Sequence, residues 1–385
     1  MDFNFETCPD RTETDSTKWH RYAGRDVLPA WVADMDFSTA PAIVEALKKR
    51  IEHGVFGYPT PRPQTFDAIV NYLAREHGWQ IDPDWIVFLP ALVAGINASI
   101  RAVGQPGDSV MVPIPAYPPF LSAPVNSTRI AKRVPMILQN GNWQFDLPAL
   151  EAATTPDAKI FLLCSPYNPL GRVFTREELL SVTDYCTRHN LVICSDEIHC
   201  DIVHNSGSRH IPTASLSPEI AQRTITLLSA SKTYNIPGLT CGYAVIPNAD
   251  LRTRFRRVIA GIATDVNIFG YLGMETAYNE GGEWHRACLD YLRGNLDLIC
   301  EKVRTMPGVT LHQRPQATYL AWLDVRELNL ENPYAAFEQG GVGLGDGADF
   351  GTPGFVRLNF GCPRERLREI LRRIGAVAEQ HQPAD

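Results

Sequence analysis

The lysine in a tight, hydroxyl-rich turn is the residue of this sequence best placed for covalent chemistry. A β-prone run, Thr224 to Leu228, delivers Ser229-Ala230-Ser231-Lys232-Thr233-Tyr234-Asn235-Ile236-Pro237-Gly238-Leu239. Buried beside apolar strands, the Lys232 amine would hold its proton less tightly and act as a nucleophile toward an aldehyde. In solvent it would be an ordinary loop lysine. Asp196 ends the run Leu191-Val192-Ile193-Cys194-Ser195. It can hold a charged ring nitrogen, or simply cap a turn. Asn168, in Ser165-Pro166-Tyr167-Asn168-Pro169, can donate to a phenolate oxygen, or shape a turn. Tyr117 lies among prolines and offers a ring face for stacking, or a core aromatic. Ala91-Leu92-Val93-Ala94-Gly95 reads as a helix start made of small residues. There the amides of Leu92 and Val93 are open to a phosphate, and Ser229 and Ser231 add hydroxyls.

The elements that position these groups form one pattern. Strand-like runs at 85–89, 109–112, 159–164, 191–194, 224–228 and 242–246 alternate with helical segments. The run Lys159 to Cys164 is continuously apolar, as in a sheet covered on both faces. Thr175 and Glu178 form a capping box at the start of the helix that follows. Such alternation implies a mostly parallel, doubly wound sheet, and such sheets bind ligands beyond the carboxyl ends of their strands. Tyr117, Asn168, Asp196 and Lys232 each stand just past a different strand end. A Schiff-base lysine, a carboxylate for a pyridinium nitrogen, a phosphate cradle and a stacking partner are what pyridoxal 5′-phosphate (PLP) requires.

The chain of 385 residues suits a large domain plus a smaller one. Hydrophobic residues make up 44% and charged residues 21%, and the net charge is −7. That balance gives no electrostatic case for nucleic acid or an anionic membrane. No apolar run approaches the roughly 20 residues of a membrane span, and the N-terminus, from Met1-Asp2-Phe3, does not read as a signal peptide. Nine cysteines stand without CxxC pairs. We expect reduced thiols, a cytoplasmic setting and no metal. Residues 1 to 30 read as an arm that packs on something else. Residues 1–50 are expected to form this arm and part of a small domain. Residues 51–282 would be the large domain, and residues 283–385 a small α+β domain with helices near 283–306 and 363–380.

The sequence resembles the fold-type I PLP enzymes of the class I/II aminotransferase superfamily. The motifs are Ser229 to Leu239, Ser165 to Gly171, and Ser195-Asp196-Glu197-Ile198-His199. Within it, the chain most resembles the MalY/PatB branch of cystathionine β-lyases. That likeness rests on Trp31-Val32-Ala33-Asp34-Met35-Asp36-Phe37, Phe56-Gly57-Tyr58-Pro59-Thr60, Asp196 to His199, Arg209-His210-Ile211-Pro212 and Ala214-Ser215-Leu216-Ser217. The resemblance implies a three-layer α/β large domain of the aspartate aminotransferase type. It implies that Lys232 holds PLP and moves the substrate α-proton, and that Asp196 pairs with the pyridinium. Asn168 would bond the phenolic oxygen and lie near the substrate carboxylate, and Tyr117 would stack on the ring. Ser229, Ser231, Leu92 and Val93 would take the phosphate. Tyr58 would reach that phosphate from a second subunit of a homodimer. Arg357 would clamp the substrate carboxylate, with Ala33 also at the substrate. His199 stands where many relatives carry a tyrosine toward the phenolic oxygen. Many aminotransferases carry a phosphate-binding arginine eight residues past the lysine; here that position is Thr240, which leaves a less cationic cradle.

The implied reaction is α,β-elimination from a sulfur amino acid, with transamination as the alternative. Ser229-Ala230-Ser231-Lys232 also fits the S-x-x-K pattern of penicillin-binding serine hydrolases, but its companion motifs are missing. A P-loop is excluded because no glycine precedes Lys232 at the required spacing. A non-catalytic binding protein on the same fold would carry an added module or basic patch, and none is visible.

Overall fold

The computed structural model describes residues 3–204 and 207–381. Met1 and Asp2, part of the N-terminal reading above, lie outside the described residues. A seven-stranded sheet organises the chain. From edge to edge its strands are Ile86–Leu89, Gly242–Val245, Thr224–Leu228, Val192–Asp196, Ala158–Cys164, Ser109–Ile114 and Ile130–Pro135. Five of them run parallel; Gly242–Val245 is antiparallel to Thr224–Leu228, and Ile86–Leu89 antiparallel to it in turn.

Both faces of this sheet are buried except at the edge strand Ile130–Pro135, and period-2 alternation assigns the side chains to them. Leu227, Ala244 and Val87 belong to one apolar cluster. Their neighbours Leu228, Tyr243 and Ile86 belong to the other. That second cluster continues without a break into the helix Gly282–Val303 and on to Leu320, Val356 and Leu358.

Those last residues lie in a second, antiparallel sheet of Leu320–Asp324, Phe355–Asn359 and Gly345–Asp346. The helices Gly282–Val303 and Arg364–Gln380 contact each other beside it. The N-terminal arm reaches the C-terminal part of the chain. It packs on its own chain, because Lys18 is fully buried and pairs with Asp36 at 3.0 Å. Leu28–Pro29 also adds a short parallel pairing to Val342–Gly343.

Register explains how one crevice collects groups from several strands. Cys164 pairs with Asp196, and Asp196 with Leu227. The carboxyl ends of three adjacent strands therefore lie level. Asn168, Asp196 and Lys232 follow within a few residues of that line. The start of the helix Leu92–Ala102 is pressed onto the sheet at Gly242. A Cβ on Gly242 would stand 2.3 Å from Leu92 Cδ1 and 3.2 Å from the Leu228 carbonyl oxygen, so a side chain there would push the Leu92 side chain aside.

Candidate active site

A cavity of about 600 Å³ lies over these strand ends. It is lined by Tyr117, Asn168, Asp196, His199, Ser229, Ser231, Lys232, Leu92, Val93, Ala33, Thr240 and Arg357. All the expected site residues meet there except Tyr58, which is fully exposed and does not line the cavity of its own chain.

The Lys232 Nζ donates to the Ala33 carbonyl at 2.6 Å. Burial, joined by the Arg357 charge, lowers its pKa to about 8 against the opposing charges of Asp34 and Asp196. A sizeable fraction of the amine is then neutral and nucleophilic near physiological pH. Asp196 sits in the opposite condition. Burial pushes its carboxyl up to about 7, although the Ile198 N–H and the Lys232 charge pull the other way. Its hydrogen bond is the one from Ile198, at 3.2 Å. A buried carboxylate so thinly paired is suited to a cationic partner. Burial drives His199 down to about 3, so its ring is neutral, and its Nδ1 has no partner.

Arg357 closes the other side. Its Nη1 donates to Asn168 Oδ1 at 3.0 Å and its Nη2 to the Trp31 carbonyl at 2.6 Å. The guanidinium carbon lies 4.7 Å from the centre of the Phe350 ring. Burial lowers its pKa to about 10, so it stays cationic at neutral pH. Among the described residues its Nε has no partner, and its bonds go to an amide and a carbonyl rather than to a carboxylate. A buried, unneutralised guanidinium beside a cavity fits an incoming carboxylate.

The helix Leu92–Ala102 begins at the same cavity. Ala91 supplies no capping side chain, and Gly95 is the first residue whose N–H reaches back to the Ala91 carbonyl. The N–H groups of Leu92, Val93 and Ala94 precede that first bond. By contrast, Thr175 caps its helix from its side chain, as expected. The Ser229 hydroxyl donates to the Cys241 carbonyl at 2.6 Å and accepts from the Ser231 N–H. Thr240 accepts from Asn267 at 2.8 Å. Around this helix start the cavity wall is Pro90, Ala91, Leu92, Val93, Ser229, Ser231, Pro237, Thr240 and Cys241, all uncharged.

Taken together, a neutralisable amine, a deep carboxylate lacking its cation, and free N–H groups with hydroxyls fit PLP. Each suits one part of that molecule: aldehyde, pyridinium and phosphate.

Sequence reasoning missed the parts that hold the Trp31–Phe37 segment over the site. Asn359 Nδ2 donates to the Val32 and Asp34 carbonyls. Asn235 bonds the Met35 N–H at 2.9 Å, the Met35 carbonyl at 2.9 Å and the Phe37 carbonyl at 2.7 Å. The Tyr319 hydroxyl donates to the Ala33 carbonyl at 2.9 Å. Asn359 had a signal, since it stands two residues past Arg357 and so shares its face of the strand. Arg21, Tyr334 and Asp349, which also line the cavity, had none.

Behind the site lies a buried ionic layer. Glu197 accepts from His210 at 2.8 Å and from the Thr213 N–H at 2.9 Å. His77 pairs with Asp201 at 2.9 Å, and the Thr233 hydroxyl donates to Asp201 at 3.0 Å. The residues next in sequence to Asp196 and Lys232 are thereby anchored.

Residues 31–374 match the family of class I and II aminotransferases. This chain belongs to that family. Cystathionine beta-lyase PatB of Bacillus subtilis (strain 168) is 36% identical over 390 residues, covering 97% of this chain and 99% of that protein. The crystal structure of OvoB superposes with a TM-score of 0.95 at 43% identity, covering 98% of this chain and 99% of the other. The PLP-bound C-S lyase from Staphylococcus hominis superposes with a TM-score of 0.92 at 28% identity, covering 98% of each chain. The mostly parallel α/β sheet expected from the alternating strands, and the aminotransferase-like fold implied by the resemblance, are both present.

Proposed function

We propose that this chain is a PLP-dependent carbon–sulfur β-lyase that cleaves thioether amino acids of the cystathionine type to a thiol, pyruvate and ammonia. The observation that carries the reading is the buried, uncompensated Arg357 on one side of a cavity whose other side holds Lys232 and Asp196. An α-carboxylate on Arg357 places the substrate's Cα near the lysine. The kinship to cystathionine and C-S lyases supports the choice of reaction.

Bound in this site, PLP supplies an electron sink that acidifies the substrate's Cα–H bond. Asp196 holds the carboxylate that keeps such a sink protonated. Asn168 keeps its Oδ1 on Arg357, which leaves its amide N–H groups toward the cavity. Arg357 fixes the substrate carboxylate and so orients the Cα–H bond. Lys232 Nζ, neutral above about pH 8 in the free site, takes the Cα proton. With a thioether sulfur on Cβ, the C–S bond would then break, its electron pair leaving with sulfur as the thiolate, and hydrolysis of the three-carbon remainder would give pyruvate and ammonia. The uncharged phosphate end places the anchoring on helix amides and hydroxyls.

The working unit is a homodimer. Ile51, Val55, Phe56 and Tyr58 are exposed within one stretch of eight residues, and Phe56 contacts Phe269. A second copy covering this surface would carry Tyr58 to its partner's cavity. Among the described residues no helix is long and apolar enough to cross a membrane, and nine free cysteines support a cytoplasmic setting.

The decisive experiment is product analysis of the purified holoenzyme with L,L-cystathionine. Pyruvate and homocysteine should form without any added keto acid. Turnover that requires a keto acid would replace this reading with aminotransfer.

A further inference from the structure

The cavity does not end at Arg357. The Trp31 carbonyl accepts from Arg357, and the ring of the same residue lies 4.6 Å from the guanidinium carbon of Arg21. Arg21 donates to the Tyr334 hydroxyl at 2.7 Å. Stacking and that one bond hold the fork in place and leave its other N–H groups free. Arg21 and Tyr334 both line the cavity. So does Asp349, next to Phe350, whose ring lies against Arg357. Among the described residues, neither Arg21 nor Asp349 has an ion-pair partner. Asp346, on the same wall, already caps the Ala348 N–H.

A cation and an anion that share one cavity without neutralising each other are complementary to a ligand bearing both charges. The first amino-acid head of a substrate is already accounted for by Arg357 and Lys232. We infer that Arg21 and Asp349 recognise a second α-amino-acid head, Arg21 taking its carboxylate and Asp349 its ammonium. The preferred substrates are then thioethers with an amino-acid head at both ends, rather than S-alkyl cysteines. This specificity role rests on the C–S lyase reading and deepens it by naming the residues that read the head farther from Lys232.

The test compares L,L-cystathionine with S-ethyl-L-cysteine on the holoenzyme. Loss of one charge-assisted contact should lower the ratio of their kcat/KM values about tenfold in Arg21→Gln. The change should sit in KM for cystathionine, with partial rescue in Arg21→Lys. Asp349→Asn should shift the ratio the same way. A ratio unchanged in both variants overturns the inference. Failure of the lyase reading looks different: the wild-type enzyme would release no pyruvate from either compound. In that case the probe is the cystathionine analogue in which a methylene replaces sulfur, its binding followed by the holoenzyme's absorbance. Arg21→Gln should weaken its binding about tenfold, and unchanged affinity overturns the inference.

Discussion

Arg357 carries a positive charge deep in a cavity where it bonds only an amide oxygen and a carbonyl. Removing it takes away the fork for a carboxylate and frees Asn168 and the Trp31 carbonyl. Arg357→Gln should raise KM for amino acids by about one to two orders of magnitude, from the loss of charge-assisted bonds worth about 1.5–3 kcal/mol each. Steady-state kinetics check this, and cofactor content should fall far less. The lysine makes a second prediction at this scale. With its pKa lowered to about 8, Lys232 is the reactive free amine only as the pH climbs through that value. The rate at which apoenzyme captures PLP covalently should rise across the same interval in stopped-flow absorbance. Lys232→Ala should abolish the capture. A rate flat across that interval would show that burial does not activate this amine.

Among the elements, the segment Trp31–Phe37 depends on partners far away in sequence. Asn235 binds it with three hydrogen bonds from the lysine turn, and Asn359 binds it from the strand that carries Arg357. Asn235 itself has φ +55, in the left-handed region that asparagine tolerates better than most residues. Asn235→Ala loses the bonds and keeps the strain. We expect it to cost about 2–3 kcal/mol, read as a lower midpoint in urea, and to loosen substrate binding through Ala33. A midpoint within error of wild type would show that the segment's other partners hold it without Asn235.

For the whole molecule, the buried His77–Asp201 pair ties the helix Pro63–His77 to the sheet behind the cofactor site. Burial would lower the His77 pKa, but Asp201's bond and charge, with Glu197 and Glu76, outweigh it and raise the value. A raised histidine stabilises the fold fully below its unfolded value of about 6.5 and loses that contribution as pH rises through the folded one. The stability gap between wild type and His77→Gln should therefore be widest below about pH 6.5 and narrow as the pH rises above it. Urea titrations at several pH values check it, and a constant gap would mean that the pair acts without its charge. This pair was not legible in the sequence, because 124 residues separate its members. The alternating strands, the crevice at their ends and the lysine, aspartate and asparagine past them were legible, because each follows from local pattern and from the rule that parallel sheets bind at their carboxyl ends. Arg357 was legible only through the family resemblance, because it lies 125 residues past Lys232 and no local pattern ties the two together. The sequence by itself thus determined the sheet, since strand patterning and turn residues are local, and the family, since its motifs stand in the chain in order. The tertiary structure decided that Arg357 lacks a neutralising carboxylate, that two asparagines pin Ala33 beside Lys232, and that Arg21 and Asp349 share the outer cavity. Those facts depend on where distant segments pack, and the spacing of residues along the chain does not encode them.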